Sequence, residues 1–328
     1  MRNRQVLVTG AGGFIGSHLV EALVREGANV RALLRYNAAA SIGNLALTAP
    51  DVLSQVKIVH GDLNDGEFVK NLVDGCEAVF HLGALIAIPY SYSAPRSYLH
   101  TNVGGTLNIL EAVRACGQPL LVHTSTSEVY GSAQYVPMDE AHPLQAQSPY
   151  AATKIAADKL VESYVRSFGV RAVTVRPFNT YGPRQSARAV IPAIIGQALG
   201  RPEAIQLGAT TPVRDLTFVE DTVAGFIAAA SNESVVGGVY NLGTGESISV
   251  GELARTILRV MDVPARIESD AQRLRPENSE VDRLVSSNAA FTAATPWRPQ
   301  VNIEEGIRRT VEFFQAHPQL LPRGSYVR

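Results

Sequence analysis

A tyrosine and a lysine four residues apart form the clearest chemical pattern in this 328-residue chain. Tyr150 and Lys154 follow Ser148 and Pro149, which are typical of a helix start, so both side chains should share one helical face. A neighbouring ammonium favours the phenolate and lowers the pKa of a tyrosine from about 10. Such a phenolate could take a proton from a substrate hydroxyl while hydride leaves the same carbon, although the spacing also occurs in ordinary helices. Thr126, at the end of a predicted strand, could share a hydrogen bond with that hydroxyl.

A hydride acceptor needs a binding site, and the start of the chain predicts one. Val6–Val8 is an apolar run of strand length, and apolar residues at helical spacing follow it as far as Gly27. Between strand and helix stand Gly10, Gly13 and Gly16, spaced Gly-x-x-Gly-x-x-Gly. Glycines let the backbone approach a pyrophosphate, and the helix N-terminus offers it unpaired N–H groups. The context indicates a dinucleotide-binding loop, and a plain tight turn is the alternative.

The ends of the next two predicted strands bear on which dinucleotide binds. Val30–Leu34 is followed by Arg35, where NAD-binding folds usually place an acid for the ribose hydroxyls. A guanidinium there could pair with a 2′-phosphate, which favours NADP over NAD, unless Arg35 is simply a solvated surface residue. Val56–His60 leads to Asp62, which could accept a hydrogen bond from adenine or cap the helix that follows.

Strands continue to alternate with helices through residue 125, which predicts an α/β fold with a doubly wound parallel sheet. Ala78–Leu82 and Leu120–Ser125 are the fourth and fifth strands, with an amphipathic helix from Tyr98 to Cys116 between them. That helix should bury Leu107, Leu110 and Val113 on one face, and His81 should be a packed core residue. Ligands of such sheets bind beyond the carboxyl ends of the strands, where the polar residues named so far lie.

Composition excludes several classes of function. Hydrophobic residues make up 46% of the chain, charged residues 18%, and the net charge is −1, so nothing favours binding to nucleic acid or to an anionic membrane. The only cysteines, Cys76 and Cys116, cannot form a four-ligand zinc site and suit a reducing compartment. With no leader-like start and no apolar run approaching a membrane span, we expect a cytoplasmic protein without metal.

Together these motifs resemble the extended short-chain dehydrogenases/reductases. The resemblance extends from about residue 5 to about residue 315 and implies a Rossmann fold, a nucleoside-diphosphate sugar as substrate, tightly held NAD(P) and a homodimer paired through helices near 100–116 and 150–168. Further matches are Arg176-Pro-Phe-Asn-Thr-Tyr-Gly-Pro, Arg214-Asp-Leu-Thr-Phe-Val-Glu-Asp and Tyr240-Asn-Leu-Gly-Thr-Gly. The residues assigned to the cofactor are Gly10, Gly13, Phe14, Ile15, Gly16, Arg35, Asp62, Leu63, Leu82, Ala84, Ser125, Tyr150 and Lys154.

Within that family, the residues after Thr126 help to sort the reaction. 4-Epimerases carry small residues there, whereas this chain has Ser127 and Glu128, as GDP-mannose-type 4,6-dehydratases and UDP-glucuronate decarboxylases do. Decarboxylases usually place a cysteine before the tyrosine and an acid after it, but here Pro149 and Ala151 stand in those positions. Residues 125–137 and 150–159 are most similar to those of 4,6-dehydratases of legionaminate-type pathways. The same holds for residues 182–192 and 273–281.

The resemblance makes Glu128 the deciding residue. Oxidation at C4 of the sugar acidifies the C5 hydrogen, which a carboxylate at the strand end could remove before the C6 hydroxyl leaves as water. The stored hydride then returns to C6. Ser127 is a poor acid for the leaving hydroxyl, so either Glu128 also protonates it or a water relays the proton. Alternatively, Glu128 only satisfies backbone N–H groups at a helix start.

The second half of the chain is expected to bind the nucleotide sugar. We place a Rossmann domain at 1–180, with a strand near 238–242 returning to it, and a smaller interleaved α/β substrate domain at 181–328. Asn179 could bind the diphosphate or the sugar, unless it only forms a turn. The expected function is a 4,6-dehydratase, with a 4-epimerase, a UDP-glucuronate decarboxylase or a non-enzymatic NAD(P) sensor as alternatives. The candidate diphosphate ligands, any of which could be a surface residue, are Arg184, Arg188, Arg214 and Arg275.

Overall fold

The computed structural model describes residues 1–270 and 281–321. Its strands alternate with helices in the first half of the chain and become short and scattered in the second half. In chain order the strands are β1 (Gln5–Thr9), β2 (Asn29–Arg35), β3 (Lys57–Gly61), β4 (Ala78–His81), β5 (Leu120–Thr124), β6 (Ala172–Pro177), β7 (Asn179–Tyr181), β8 (Ala204–Leu207), β9 (Val213–Arg214), β10 (Leu216–Phe218), β11 (Val239–Leu242), β12 (Ile248–Ser249), β13 (Arg266–Ser269) and β14 (Arg283–Leu284).

Helices cover the strands of the main sheet. Several begin where the sequence supplies a cap or a proline, as at Ser148, whose hydroxyl accepts from the Ala151 N–H. In chain order they are α1 (Phe14–Arg25), α2 (Pro50–Leu53), α3 (Gly66–Val73), α4 (Ile88–Ser93), α5 (Pro95–Tyr98), α6 (Gly105–Ala115), α7 (Pro149–Phe168), α8 (Val190–Leu199), α9 (Val219–Ser231), α10 (Val250–Val260), α11 (Ala289–Ala294) and α12 (Ile303–Ala316).

A seven-stranded parallel sheet organises the described part of the chain, in the order β11-β6-β5-β4-β1-β2-β3. The order reverses direction between β1 and β4, as it does in a doubly wound sheet, so the predicted fold class is confirmed. Apolar runs such as Val6–Val8 and Leu120–Val122 fill its buried strands, and two separate apolar cores cover its faces. Crossover helices lie on both faces, and the carboxyl ends of the strands form one edge.

After β6, the described residues contribute three small sheets and one further strand of the main sheet. β7 pairs with β10, β9 lies between β12 and β14, and β8 pairs with β13. β11, more than sixty residues after β6, pairs with it in parallel, from Val239 opposite Thr174 to Leu242 opposite Pro177. The two halves of the chain therefore interleave.

The helix predicted from Tyr98 to Cys116 differs from the expectation. A π-helical segment, Leu99–Gly104, joins α5 to α6. This segment contains the buried Asn102, whose side-chain amide donates to Thr153 on α7 and to the Leu85 carbonyl. Leu107 is 38% exposed, whereas Leu110 and Val113 are buried. Leu107 precedes Val113 by six residues, which places the two side chains about 120° apart around the helix axis.

Two further expectations concern the core and the membrane. His81 is a packed core residue as predicted, with its ring nitrogens hydrogen-bonded to the hydroxyls of Thr9 and Thr106. Burial lowers the pKa of His81 well below its usual value, so the ring is neutral. In residues 1–270 and 281–321, no helix has both the length and the apolar character needed to cross a bilayer.

Candidate active site

A cleft of about 790 Å³ opens at the carboxyl edge of the main sheet. The glycine-rich loop forms one wall, and the segment after β5 together with the start of α7 forms another. The structure therefore brings together residues from six separate parts of the sequence. Predicted site residues that line the cleft are Gly10, Gly13, Phe14, Ile15, Gly16, Arg35, Leu82, Ala84, Ser125, Thr126, Ser127, Glu128, Tyr150 and Asn179.

The glycine-rich loop has the geometry that close approach of a diphosphate requires. Gly10 has a positive φ of 68°, a conformation in which side chains are strained. A Cβ on Gly16 would overlap the Gly10 carbonyl, so this glycine lets α1 pack against the loop. Gly13 caps α1 without any side-chain hydrogen bond, and the loop at the helix N-terminus therefore fits the diphosphate of a dinucleotide.

A smaller cavity of about 170 Å³ adjoins this cleft and shares the walls Gly10, Arg35 and Ala84. Asp62 and Leu63 line it from the end of β3. The carboxylate of Asp62 accepts from the backbone and side-chain N–H groups of Asn64, at 2.9 and 2.8 Å.

Asp62 does not cap the helix that follows. That role belongs to Asp65, which accepts from the Phe68 N–H at the start of α3. Asp62 therefore stands beside a cavity where an adenine could lie, next to Arg35.

Tyr150 and Thr126 meet across the cleft. The Thr126 side chain hydrogen-bonds the phenol of Tyr150, which favours the phenolate. Burial nevertheless raises the pKa of Tyr150 above its usual value, and the charge of Glu128 adds to the rise. The expected lowering is therefore not observed in the chain alone, because desolvation outweighs the hydrogen bond.

Lys154 shares the face of Tyr150 but lies deeper, behind the cleft wall. Its Nζ donates to the Thr124 carbonyl at 2.6 Å, and the side chain is buried. Burial lowers the pKa of Lys154 to about 8, and the charge of Asp158 opposes that shift. Lys154 therefore remains mostly protonated at pH 7 but would lose its proton at mildly basic pH.

Asp158 is a functional candidate that the sequence reading missed. Its Oδ1 accepts from His123 at 3.2 Å, and its Oδ2 accepts from the Ser125 hydroxyl at 2.8 Å and from Arg176 at 3.0 and 3.1 Å. The hydroxyl of Ser125 is therefore bound inside the protein, although Ser125 lines the cleft. The spacing of Asp158, four residues after Lys154, was the available signal.

Glu128 lies on a short 3-10 turn, Ser127–Tyr130, that follows β5. Thr126 caps this turn, since its hydroxyl accepts from the Glu128 N–H at 3.2 Å. Thr126 thus satisfies one backbone N–H at the start of this turn. Glu128 is half-buried in the cleft wall, and its charge acts on Tyr150, whereas Ser127 is almost fully buried.

Two of the candidate arginines line a neighbouring cavity of about 350 Å³. Arg188 lies just before α8, and Arg214 lies on β9, where its Nη1 donates to the Val213 carbonyl. Asn179 and Gln185 form part of the wall that this cavity shares with the large cleft. Arg275 falls in 271–280, outside the described residues.

Arg184 has a structural role rather than the expected role at the diphosphate. Its guanidinium pairs with Glu21 on α1 at 2.7 Å and donates to the Leu47 carbonyl. The side chain is buried between the two halves of the chain. Arg184 is not available to a diphosphate because its contacts in the folded chain direct the guanidinium towards α1.

Comparisons with known proteins agree with this geometry. The family model described as GDP-mannose 4,6 dehydratase matches residues 7–310. The chain is 34% identical to dTDP-glucose 4,6-dehydratase of Mycobacterium tuberculosis, over 95% of this chain and 93% of that protein. It is 33% identical to UDP-glucose 4-epimerase of Mycolicibacterium smegmatis, over 96% of this chain and the full length of that protein.

Solved structures show the same two activities on this fold. The dTDP-glucose 4,6-dehydratase DesIV of Streptomyces venezuelae, solved with NAD bound, superposes with a TM-score of 0.87 at 28% identity, covering 97% of this chain and 98% of that one. A UDP-N-acetylglucosamine 4-epimerase of Methanobrevibacter ruminantium, in complex with UDP-N-acetylmuramic acid, gives 0.86 at 27% identity, with coverage of 97% and 100%.

Proposed function

The chain belongs to the GDP-mannose 4,6-dehydratase family of extended short-chain dehydrogenases/reductases, and on that premise we propose that it is a nucleoside-diphosphate-sugar 4,6-dehydratase. The observation that carries the proposal is the position of Glu128. Its carboxylate lies in the same cleft wall as Thr126 and acts electrostatically on Tyr150. Removal of the C4 hydroxyl proton needs Tyr150 and Thr126 of this chain, with a nicotinamide as the hydride acceptor, whereas removal of the C5 hydrogen needs a base such as Glu128.

The first step assigns Tyr150 as the base that takes the proton of the C4 hydroxyl, with Thr126 orienting that hydroxyl. Buried Lys154 and the Thr126 hydrogen bond both favour the phenolate that this step requires. A nicotinamide dinucleotide held at the glycine-rich loop would supply the redox chemistry, as acceptor of the C4 hydride and as hydride donor to C6.

The elimination assigns Glu128 two successive roles. Its carboxylate takes the C5 proton, which the C4 ketone has made acidic, and the resulting carboxylic acid gives a proton to the departing C6 hydroxyl. Water leaves and a C5–C6 double bond forms. As hydride is returned to C6, C5 would take up a proton from solvent, which replaces the proton lost from the C4 hydroxyl, so the product differs from the substrate by one water. Ser127 lines the same cleft wall and stays in the proposed catalytic set, but as a poor acid it is assigned no proton transfer.

The cofactor is a nicotinamide dinucleotide, and we favour NADP over NAD, held tightly between turnovers. Support comes from Arg35, which lines both the large cleft and the cavity at Asp62, at the end of β2 where no acid stands. The dinucleotide would contact the glycine-rich loop, Leu63, Leu82 and Ala84. Lys154 would act on the bound dinucleotide from its buried position behind the cleft wall.

We assign the substrate to Asn179, Arg188, Arg214 and Arg275. Asn179 borders both the large cleft and the 350 Å³ cavity, and Arg188 and Arg214 line that cavity. The domain boundary near residue 180 and the legionaminate-type specificity are parts of the same proposal.

We also propose a homodimer. Leu107 and Phe168 are exposed apolar side chains on α6 and α7, the helices expected to pair, and Leu99 is another on the π-helical segment. Sedimentation velocity would test it.

A 4-epimerase is the second candidate, because a UDP-glucose 4-epimerase is as similar in sequence as the dehydratases and Tyr150 with Thr126 would suffice for it. A UDP-glucuronate decarboxylase would retain the C4 oxidation but release carbon dioxide.

Incubation of the purified enzyme with UDP-, GDP- and dTDP-hexoses in deuterated water tests the proposal. We expect one sugar nucleotide to lose a water and to carry deuterium at C5. A C4 epimer with no loss of water, or release of carbon dioxide from a uronate, would overturn dehydration in favour of the alternatives. The cofactor is identified by denaturing the protein and analysing the released nucleotide.

A further inference from the structure

The loop after β7 holds a buried acceptor oxygen in the wall between the cleft and the arginine-lined cavity. The Nε2 of Gln185 donates to the Thr180 carbonyl at 3.0 Å, which fixes the orientation of the amide. Its Oε1 is therefore the acceptor, and it is buried without a hydrogen-bond partner among the described residues. Asn179 Oδ1 is also buried without a hydrogen-bond partner among the described residues, and both side chains border both cavities.

This loop is anchored, so Gln185 cannot readily turn its oxygen towards solvent. His18 Nε2 donates to the Pro183 carbonyl at 2.9 Å, and burial lowers the pKa of His18 to about 4, which keeps the ring neutral. Asn44 donates to the Arg184 carbonyl at 3.0 Å.

The Arg184 side chain adds the ion pair with Glu21, and the Gln185 N–H donates to the Gly182 carbonyl. Contacts from α1 and from the segment after β2 thus hold the acceptor in place before any ligand binds.

Because Gln185 Oε1 can only accept a hydrogen bond, its partner must be a hydrogen-bond donor. Ionised diphosphate oxygens carry no hydrogen, so they cannot satisfy Gln185, and only an O–H or N–H group can. A buried acceptor left unpaired destabilises the complex, which is why a site of this kind discriminates strongly against a ligand that lacks the donor.

The position of Gln185 indicates which donor it meets, given the proposed function on which this inference rests. Suppose that C4 of the hexose lies at Tyr150, in the large cleft, and that the diphosphate points towards Arg188 and Arg214, in the 350 Å³ cavity. The sugar ring then passes next to Gln185 and Asn179, which border both cavities. Glu128 is assigned to the C5 side, so the C2–C3 edge of the ring remains for Gln185 and Asn179. We propose that Gln185, with Asn179, forms a subsite for hydrogen-bond donors at C2 and C3. It accepts a hexose with hydroxyl or acylamino groups there and rejects the deoxy counterparts.

Binding to the full-length, cofactor-loaded protein tests the subsite without requiring turnover. Titration calorimetry compares the parent nucleoside-diphosphate hexose with its 2-deoxy and 3-deoxy counterparts, using the nucleotide base that binds most tightly. We expect one or both deoxy sugars to bind the wild type roughly 10- to 100-fold more weakly than the parent.

The variant Gln185→Met should remove this discrimination, weakening the parent by that factor and the deoxy sugar less than about threefold. Gln185→Glu keeps the acceptor oxygens and should keep the preference for the parent. Gln55→Met is the matched control, because Gln55 also donates to a backbone carbonyl, that of Asp51, but is exposed and borders neither cavity.

Equal affinity of the wild type for the parent and both deoxy sugars would overturn the subsite. So would a uniform loss for every sugar in Gln185→Met, and the wild-type comparison holds even if that variant does not fold. Failure of the proposed dehydration is seen separately, as the absence of water loss from a parent sugar that binds.

Discussion

Asp158 lies one helical turn after Lys154 on α7. Lys154 donates to a backbone carbonyl at the end of β5, and the Asp158 carboxylate accepts from the side chains of the two residues that flank this carbonyl. That carbonyl belongs to Thr124, and the two flanking residues are His123 and Ser125. Lys154 and Asp158 are 4% and 5% exposed, so both charges are compensated inside the protein. Asp158 therefore clamps the end of β5 onto α7 and aligns Lys154 with its acceptor.

The charge of this clamp also acts on Lys154. Burial opposes ionisation of Asp158, but His123, Arg176 and Lys154 together hold its pKa below the usual value. The resulting carboxylate raises the pKa of Lys154, which burial has lowered to about 8. The ammonium is thus maintained at neutral pH, and the proposed mechanism uses it to support a phenolate at Tyr150.

Asp158→Asn should shift the basic limb of the kcat–pH profile to lower pH by about one unit. Without the carboxylate the pKa of Lys154 falls further, so the ammonium is lost at a lower pH as pH rises. The measurement is kcat against pH, beside Asp158→Glu, which restores the charge. Glu162→Gln is the control, because Glu162 lies one turn further on and pairs with exposed Lys159. A lower kcat at every pH with an unmoved profile would mean that Asp158 is only structural.

Thr126→Val should shift the acidic limb of the same profile to higher pH. The Thr126 hydrogen bond lowers the pKa of Tyr150, so its removal raises that pKa and the phenolate forms only at higher pH. Thr126→Ser retains a hydroxyl and should stay near the wild type. An acidic limb that does not move in Thr126→Val would contradict the assignment of Tyr150 as the base.

Glu128→Gln should lower the rate of water loss by roughly 10²- to 10⁴-fold, because an amide cannot take the C5 proton. Oxidation at C4 should persist, so reduced cofactor should accumulate and absorb in the near ultraviolet. Exchange of the C5 hydrogen with deuterated solvent should be lost. Unchanged exchange in this variant would assign the base to another residue.

Gly16→Ala should abolish cofactor retention and destabilise the fold, because the added methyl would overlap the Gly10 carbonyl. Gly104→Ala is the matched control, since its Cβ would meet nothing closer than Asn64 Oδ1 at 4.0 Å. Thermal unfolding and the nucleotide released on denaturation measure both effects. A Gly16→Ala protein that keeps its cofactor would argue against the predicted diphosphate position.

Arg35→Asp should reverse the cofactor preference, reducing the affinity for NADP relative to NAD by roughly 10- to 100-fold. The carboxylate would repel a 2′-phosphate and accept from ribose hydroxyls. Dissociation constants of both dinucleotides measure the change. Arg25→Asp, on the exposed side of α1, should leave the ratio unaltered. A wild type that prefers NAD would refute the proposed role of Arg35.

Local patterns in the sequence were sufficient for the main elements. The strand-glycine-helix order from Gln5 to Arg25 and the start of α7 at Ser148 and Pro149 depend on neighbours within a few residues, and both were predicted. The shared helical face of Tyr150 and Lys154 follows from the same short-range rule. The π-helical segment before α6 was missed, because it depends on the packing of Asn102 against Thr153.

The sequence by itself determined the sheet, the cofactor loop and the tyrosine–lysine pair, because backbone conformation and hydrophobic periodicity specify them locally. Only the tertiary structure decided that Arg184 binds Glu21, 163 residues away, that Asp158 joins β5 and β6 to α7, and that Gln185 presents a buried oxygen. These side chains are set by partners distant in the chain. Long-range packing decides which polar atoms are paired and which are left for a ligand.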